Sequence, residues 1–245
     1  MRKYGWRRQL MDIRDFKSYI PFTQRYPASV DLTSKMPAVY DQGQLGSCTA
    51  NGIAGALEYD QMKQKEKSFT PSRLFIYYNE RVMENSVNSD AGAEIRDGVK
   101  SVTKQGACKE TTWPYVISKF ANKPPSTAYT EGLKYKSIKY MTVEQSAGQM
   151  EAHLVSGFPV IFGFTVYESF ESNAVAKTGT VPMPKSNESV LGGHCVICVG
   201  YKSNRFICRN SWGTGWGKKG YFTLPYDYLL DPDMASDFWV IESVT

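Results

Sequence analysis

Three side chains of this 245-residue sequence could together cleave an amide bond: Cys48, His194 and Asn210. A thiol supplies a nucleophile, an imidazole supplies a base, and an amide can hold that imidazole in one orientation. Cysteine attacks as a thiolate, whereas an ordinary cysteine is mostly protonated at neutral pH. The elements around Cys48 must therefore favour its negative charge and bring the other two side chains to it.

The residues after Ser47 have the spacing of a helix that begins at Cys48. Ile53, Ala56 and Leu57 recur at helical intervals over a stretch ending near residue 64, and Ser47 is available as the N-cap. The unsatisfied N–H groups at a helix start favour negative charge, and a protonated imidazole nearby adds a direct partner. We expect both effects to lower the pKa of the thiol.

The base and the orienter are separated by 15 residues, with apolar runs on either side of Lys202-Ser203-Asn204. This pattern predicts two antiparallel strands joined by a tight turn, which would bring His194 and Asn210 together. The second half of the chain is predicted to be mostly β, with strands at Lys136–Thr142, Val160–Val166, Cys195–Tyr201, Phe206–Asn210 and Tyr221–Leu224.

The blocks QGQLGSC, GGHCV and NSWGTGWGKKGY resemble, in the same order along the chain, the three signature blocks of papain-like cysteine peptidases. The resemblance covers roughly residues 27–245. It implies an α+β papain-like two-domain fold, with a helical left domain, an antiparallel β-barrel-like right domain and the active-site cleft between them. We expect a basic extension at 1–26, a helical domain at 27–125 and a β domain at 126–245.

The same resemblance implies roles for further residues. Gln42 and the backbone N–H of Cys48 would stabilise an oxyanion, and Trp212 would cover the hydrogen bond between the imidazole and its orienting amide. The implied reaction is endopeptidase hydrolysis of polypeptides through an acyl-enzyme, with no metal and no other cofactor. Substrate backbone is expected to bind at Gly92, Ala93 and Gly193.

Two departures from the family pattern stand in the first block. Thr49 follows the nucleophile where common members have Trp, and Leu45 replaces a cysteine that forms a disulfide in those members. We expect a disulfide-free protein, which favours a reducing, cytoplasmic compartment. Cys195 and Cys198 form a C-x-x-C pair, but residues three apart on a strand face opposite ways, so a metal site there is not expected.

Charge and hydropathy argue against two other classes of function. Residues 1–26 hold seven Lys/Arg and two Asp, which accounts for the whole net charge of +5. The remaining chain is balanced and lacks the broad basic surface of a nucleic-acid binder. The longest uncharged stretch, residues 152–167, is too short and too interrupted to span a membrane, and the first residues lack the apolar run of a signal peptide. We expect a monomer with polypeptide substrates.

Three alternatives remain open at this point. The basic extension could be a short blocking pro-segment that crosses the cleft, or a disordered tail. The same dyad could catalyse amide acyl transfer. A catalytically silent papain-like binding protein is a third reading, which Thr49 in the usual Trp position keeps open.

Overall fold

The computed structural model describes residues 3–21 and 26–244 of the chain. Within these ranges, most helical residues precede residue 133 and most strand residues follow it. The helices are α1 (Cys48–Lys63), α2 (Arg73–Met83), α3 (Ile95–Lys104), α4 (Ser126–Gly132), α5 (Ala147–Val155), α6 (Asn173–Thr178) and α7 (Tyr226–Leu230).

The strands form one sheet. They are β1 (Lys17–Ser18), β2 (Ser29–Asp31), β3 (Ser137–Val143), β4 (Val160–Tyr167), β5 (Val190–Lys202), β6 (Arg205–Arg209), β7 (Tyr221–Pro225) and β8 (Ala235–Val244). Their order is β1-β3-β8-β4-β5-β6-β7, with β2 pairing β5. Neighbours are antiparallel except β1 and β3, so the expected barrel-like half is an open, mostly antiparallel sheet.

Helix α1 lies at the centre of the molecule and is buried on almost every side, unlike an amphipathic surface helix. It packs against β5 on one side and against α2 and α3 on another. Gly52 and Gly55 face the sheet: a Cβ at Gly52 would lie 3.2 Å from Sγ of Cys195, and one at Gly55 would lie 2.9 Å from Nη1 of Arg209. The missing side chains let the helix approach the strand that carries His194.

The predicted start of α1 is confirmed, but Ser47 does not cap it in the expected way. Ser47 is the N-cap residue, and its hydroxyl lies 2.5 Å from the hydroxyl of Tyr115 and accepts from Nδ2 of Asn51 at 3.1 Å. The side chain therefore joins the helix start to a neighbouring loop instead of bonding to the first N–H groups of the helix.

The predicted hairpin is also confirmed. Strands β5 and β6 pair with Lys202 opposite Arg205, and the turn residues Ser203 and Asn204 have φ of 51° and 58°. Two consecutive positive φ values are those of a type I′ turn, which matches the twist of the flanking strands. Strand β5 begins at Val190, five residues before the predicted start, so that His194 lies within it. The division of the chain at residue 125 stays a prediction.

Candidate active site

Cys48 is the first residue of α1, and its side chain is completely buried. The backbones of three residues lie close enough to the sulfur to lower the pKa of the thiol: Cys195 on β5, Gly5 in the N-terminal extension and Thr49 on the same helix. Cys195 directly follows His194 in the sequence. The sulfur therefore lies beside the point of β5 to which the imidazole is attached.

His194 is held by Asn210. Nε2 of His194 lies 2.8 Å from Oδ1 of Asn210, and the backbone N–H of Ser211 donates to the same oxygen at 2.8 Å. An atom that accepts from a backbone N–H must be the amide oxygen, and so His194 donates through Nε2. In the neutral ring, Nδ1 is then the basic nitrogen.

Aromatic rings enclose this pair. The indole of Trp212 stacks on the imidazole of His194 with centroids 5.0 Å apart, and Phe164 and Phe170 approach the imidazole at 5.8 and 6.5 Å. His194, Asn210 and Trp212 are all buried. Excluding water strengthens a hydrogen bond, so this packing stabilises one orientation of the imidazole. The structure places the indole of Trp212 on the imidazole, and the covering role expected of Trp212 stays a prediction.

Ser211 orients the side-chain amide of Gln42. Oγ of Ser211 donates to Oε1 of Gln42 at 2.6 Å, which identifies the other amide atom, Nε2, as the donor. Nε2 donates to the carbonyl oxygen of Leu45 at 2.9 Å and to that of Lys3 at 3.3 Å. A carbonyl from the N-terminal residues therefore already occupies the donor expected to stabilise an oxyanion.

Residues 3–9, termed the cleft segment, run through the site and pair with it through backbone hydrogen bonds. The N–H of Ala93 donates to the carbonyl of Gly5 at 2.7 Å, and the N–H of Arg7 donates to the carbonyl of Ala93 at 3.0 Å, which makes the pairing parallel. The N–H of Trp6 donates to the carbonyl of Gly193 at 2.9 Å. The segment thus uses Ala93 and Gly193, two of the residues expected to bind substrate.

Gly92, the third residue expected to bind substrate, leaves the space that Gly5 occupies. Gly92 has φ of +72°, and a Cβ on it would overlap the carbonyl oxygen of Gly5. A Cβ on Gly5 would in turn overlap the carbonyl oxygen of Gly46, whose N–H donates to Oδ1 of Asp90 at 2.9 Å. The cleft segment can therefore pass next to Cys48 only because Gly5 lies against two other glycines, Gly46 and Gly92.

Side chains of the cleft segment add further anchors. The ring of Tyr4 lies 6.0 Å from that of His194 and 6.1 Å from that of Trp212, and its hydroxyl donates to Glu171. Separate ion pairs join Lys3 to Asp90 at 3.1 Å and Arg7 to Glu84. The segment is therefore attached on both sides of the catalytic centre.

The residues after the cleft segment continue along the protein. Arg96 pairs with Asp15 at 2.7 Å, β1 adds to the edge of the sheet beside β3, and Nε2 of the buried His153 lies 2.8 Å from Oγ of Ser18. His153 therefore has the structural role expected of it. Of the two alternatives for the N-terminal extension, this path matches a segment that crosses the cleft.

Burial raises the pKa of Cys48 to about 12, although hydrogen bonds from the backbone of Cys195 and Gly5 act in the opposite direction. The helix start acts in the expected direction, because a hydrogen bond from the backbone of Thr49 lowers the pKa of Cys48, but burial outweighs it. The effect of the imidazole stays a prediction. The cleft segment seals the sulfur from water, and burial penalises the thiolate more than the helix start favours it. Burial therefore favours the protonated thiol while the segment is in place.

Thr49 anchors α1 to α2. Its Oγ1 donates to Oε2 of Glu80 at 2.8 Å, and both side chains are buried. Burial raises the pKa of Glu80 well above its ordinary value, which favours a neutral carboxylic acid beneath the start of α1. The residue that replaces the family's usual Trp thus makes a specific polar contact between the two helices.

The five cysteines all lie in the described ranges and are free thiols. Cys195 faces Gly52 of α1, whereas Cys198 lies opposite Cys208 on β6, so the two thiols of the C-x-x-C pair have different surroundings. Residues 3–21 and 26–244 contain no group of three His, Cys, Asp or Glu side chains placed to hold a metal ion. Within the same ranges, none of the helices combines the length and apolarity needed to cross a membrane.

Sequence reasoning missed two residues of the site. Ser211 lies inside the NSWG block, and this position was the signal that could have identified it. Its contact with Gln42 joins residues 169 positions apart, so no local pattern predicts it. Asp237 accepts from the indole of Trp6 at 3.0 Å and from the N–H of Gln9 at 3.0 Å. No local pattern marks Asp237, because both donors come from the opposite end of the chain.

Residues 26–233 match the model of the papain family cysteine proteases. An uncharacterised peptidase C1-like protein of Acanthamoeba polyphaga mimivirus is 50% identical over 84% of this chain and 70% of its own length. Cysteine proteinase 3 of Entamoeba histolytica is 30% identical over 82% of this chain, which spans 63% of that proteinase.

Solved structures agree with these relatives. Xylellain, a cysteine protease from Xylella fastidiosa, superimposes with a TM-score of 0.93 and 41% identity over 100% of this chain and 98% of its own. Digestive procathepsin L 3 of Tenebrio molitor, at 19% identity and a TM-score of 0.70 over 96% of this chain and 74% of its own, shares the fold. The α+β two-domain papain-like fold expected from the motifs is therefore confirmed. The chain belongs to the papain family of cysteine proteases.

Proposed function

We propose that this protein is a self-blocked cysteine peptidase that hydrolyses peptide bonds with Cys48 and His194. One observation carries the proposal. Cys48 begins α1, which packs against β5, the strand that carries His194, while Nε2 of His194 lies 2.8 Å from Oδ1 of Asn210. The geometry thus supplies a nucleophile beside a base of defined orientation, on two different elements of the fold.

The reaction follows from these positions. With the cleft segment displaced, the Cys48 proton passes to Nδ1 of His194, and the thiolate attacks the substrate carbonyl carbon. Nε2 of Gln42 and the backbone N–H of Cys48 donate to the oxygen as it becomes negative. His194 then protonates the leaving amine, the C–N bond breaks, and water activated by His194 releases the acyl group from the sulfur.

The cleft segment blocks this sequence of steps at three points. The carbonyl of Lys3 occupies the Gln42 amide, Gly5 lies against the sulfur, and Trp6 binds the carbonyl of Gly193. A substrate must displace these groups before it can bind. The segment also keeps the thiol protonated through burial, so its departure both opens the cleft and restores solvent contact to the nucleophile.

The test is hydrolysis of a mixed peptide library by the full-length protein and by Cys48→Ser and His194→Ala variants. We expect new N-termini from the wild-type protein, more after displacement of the cleft segment by mutation, and none from either variant. Cys108→Ser, at a buried thiol of a separate apolar cluster, is the matched control and should retain hydrolysis. Absence of cleavage by a protein whose cleft segment has been displaced would contradict the proposal and favour a silent binding protein.

The same reactions, run with an added amine, distinguish hydrolysis from acyl transfer. Hydrolysis gives a free carboxyl terminus, whereas transfer gives an amide of the added amine. We propose hydrolysis as the main outcome, with polypeptides as substrates, a monomer as the active form, and neither nucleic acid nor membrane as a partner. The five free, buried thiols support a reducing, cytoplasmic compartment.

A further inference from the structure

The hydroxyl of Tyr115 lies between the two residues that fix the groups proposed to stabilise an oxyanion. It donates to the carbonyl oxygen of Gln42 at 3.0 Å, and it lies 2.5 Å from Oγ of Ser47. A carbonyl oxygen only accepts, so the single proton of the Tyr115 hydroxyl goes to Gln42 and Ser47 donates to Tyr115. Ser47 directly precedes Cys48, whose backbone N–H is the second oxyanion donor. One hydroxyl therefore joins the loop of the first donor to the helix start that carries the second.

The chain of hydrogen bonds continues from Ser47 to a buried guanidinium. Nδ2 of Asn51 donates to Oγ of Ser47 at 3.1 Å, and Nη1 of Arg73 donates to Oδ1 of Asn51 at 3.2 Å. Every donor from Arg73 to Tyr115 thus points the same way, and the last acceptor is the carbonyl oxygen of Gln42. Hydrogen bonds aligned in this way polarise one another, so each of them strengthens the next.

Three contacts fix the guanidinium of Arg73. Its Nε and Nη2 donate to the two carboxylate oxygens of Glu110 at 2.8 and 2.5 Å. Its Cζ lies 4.1 Å from the centre of the Tyr115 ring, and its Nη1 also donates to the carbonyl oxygen of Asp41 at 3.1 Å. A bidentate ion pair has a defined geometry, and a guanidinium over an aromatic ring adds a cation–π attraction. Arg73 is therefore a rigid support for the ring of Tyr115 and for the residue before Gln42.

These contacts hold the backbone of Gln42 on both sides. Arg73 binds the carbonyl of the preceding residue, Tyr115 binds the carbonyl of Gln42 itself, and the N–H of Gln42 donates to the carbonyl of Ser211 at 2.9 Å. Oxyanion donors are effective when they are fixed at about 2.7–3.1 Å from the position that the negative oxygen will occupy. A displacement of about 1 Å can cost about 100-fold in rate. The position of the Gln42 backbone is therefore important for its side-chain donor.

We propose that Tyr115 is a positioning residue for the oxyanion site and that Arg73 anchors it. Through its hydroxyl, Tyr115 sets the spacing between the Gln42 amide and the backbone N–H of Cys48, and it affects the reaction through these two donors. The inference rests on the proposed function, because it concerns the oxyanion that forms when Cys48 attacks a carbonyl carbon.

Two reactions of the Cys48 sulfur distinguish this role from a general structural one. In acylation by p-nitrophenyl acetate, the thiolate attacks the ester carbonyl and the C–S bond forms. An oxyanion develops in this step, and p-nitrophenolate then leaves as the C–O bond breaks. In alkylation by iodoacetamide, the C–S bond forms as iodide leaves, and no oxyanion develops. A change confined to the oxyanion donors should therefore slow acylation and leave alkylation unaffected.

The first experiment compares both rates in the full-length Gly5→Ala protein, in which the added Cβ displaces the cleft segment, with and without Tyr115→Phe. We expect Tyr115→Phe to slow acylation of Cys48 about 10- to 100-fold and to change its alkylation by less than about twofold. Release of p-nitrophenolate and mass mapping of Cys48 measure the rates. Tyr129→Phe removes a hydroxyl that donates to Asn79 at 3.2 Å and should leave both rates unaffected. Equal losses in the two reactions, or no loss in acylation, would overturn the inference.

The second experiment is a double-mutant cycle between Tyr115→Phe and Gln42→Ala, measured by hydrolysis of a short peptide in the same Gly5→Ala background. Tyr115→Phe should lower kcat about 10- to 100-fold with little change in KM, because the oxyanion donors act in the transition state. If Tyr115 acts through Gln42, the combined loss should be smaller than the product of the two single losses. A combined loss equal to that product would show that the two residues act independently and would overturn the inference.

Arg73→Lys tests the anchor. Lysine keeps the charge but lacks the planar fork that reaches Glu110, Asn51 and the carbonyl of Asp41 together. We expect acylation to be about tenfold slower and alkylation to be unaffected, and an unchanged acylation rate would overturn the role of Arg73. If acylation follows the expected order in these variants but no peptide is hydrolysed, the proposed function fails and the positioning role of Tyr115 stands.

Discussion

The side-chain amide of Gln42 donates to the carbonyl oxygen of Lys3, with 3.3 Å between nitrogen and oxygen. The donor proposed to stabilise the oxyanion is therefore occupied by the protein's own chain. A segment that a short linker joins to the same chain acts at an effective concentration of about a millimolar. Even modest contacts can then keep the site filled, and weakening them without altering Gln42 should release activity.

Gly5→Ala should displace the cleft segment, because the added Cβ would overlap the carbonyl oxygen of Gly46. Overpacking of this kind costs about 1–3 kcal/mol, so we expect kcat/KM to rise about 10- to 100-fold. The measurement is the rate of hydrolysis of a short peptide by the full-length protein. Gly148→Ala is the matched control, since a Cβ there meets nothing within 4 Å. Equal kcat/KM for Gly5→Ala and wild type would contradict the blocking role.

Cys48 should resist alkylation while the cleft segment is seated. Burial raises the pKa of this thiol, which disfavours the reactive thiolate at neutral pH, and it also excludes the reagent. We expect slow labelling by iodoacetamide in the wild type and labelling at least about tenfold faster in Gly5→Ala. Peptide mapping by mass spectrometry follows Cys48, with Cys108, Cys195, Cys198 and Cys208 as internal references. Identical Cys48 labelling rates in the two proteins would show that the segment does not protect the thiol.

Gln42→Ala should lower kcat about 100- to 1,000-fold in the Gly5→Ala background, because an oxyanion would lose its side-chain donor. Gln44→Ala, two residues along the same loop and exposed, should leave kcat unaffected. Ser211→Ala should have a smaller effect, since it removes only the hydroxyl that orients the Gln42 amide. Rates near wild type for Gln42→Ala would exclude it from the oxyanion site.

Asp60→Asn should stabilise the protein at alkaline pH. Asp60 lies on α1 and is 2% exposed, and burial raises its pKa from 3.8 to about 7, with Lys63 opposing the shift. The folded state therefore holds a proton that the unfolded state releases above about pH 4. The free energy of unfolding falls as pH rises from about 4 to 7 and stays lower above that range.

Asparagine is neutral at every pH, and so Asp60→Asn should raise the free energy of unfolding at about pH 8. The expected gain is on the order of a few kcal/mol, because each unit by which the pKa of Asp60 is raised corresponds to about 1.4 kcal/mol. At about pH 4 and below, the gain should vanish, because the carboxyl of Asp60 is then protonated in both the folded and the unfolded state. Urea unfolding at both pH values measures the difference. Asp233→Asn, at an exposed carboxylate, controls for the change in net charge. A pH-independent difference would show that Asp60 is not the titrating group.

Local sequence patterns determined a large part of the site. The start of α1 at Cys48 follows from apolar spacing, and the contact between His194 and Asn210 follows from two apolar runs around a tight turn. These relationships depend on residues that are neighbours in the chain or on adjacent strands. The family motifs then added Gln42 and Trp212 to the predicted site.

The tertiary structure alone decided the state of that site. The cleft segment binds Ala93 and Gly193 through backbone groups, which have no signature in side-chain periodicity, and its contact with Asp237 joins residues more than 200 positions apart. The high pKa of Cys48 likewise depends on what covers the sulfur, because burial is a property of the assembled fold. The sequence by itself therefore determined which groups are expected to carry the chemistry. Long-range packing decided that they are covered, because the cleft segment can approach the glycines of the site only when distant parts of the chain have come together.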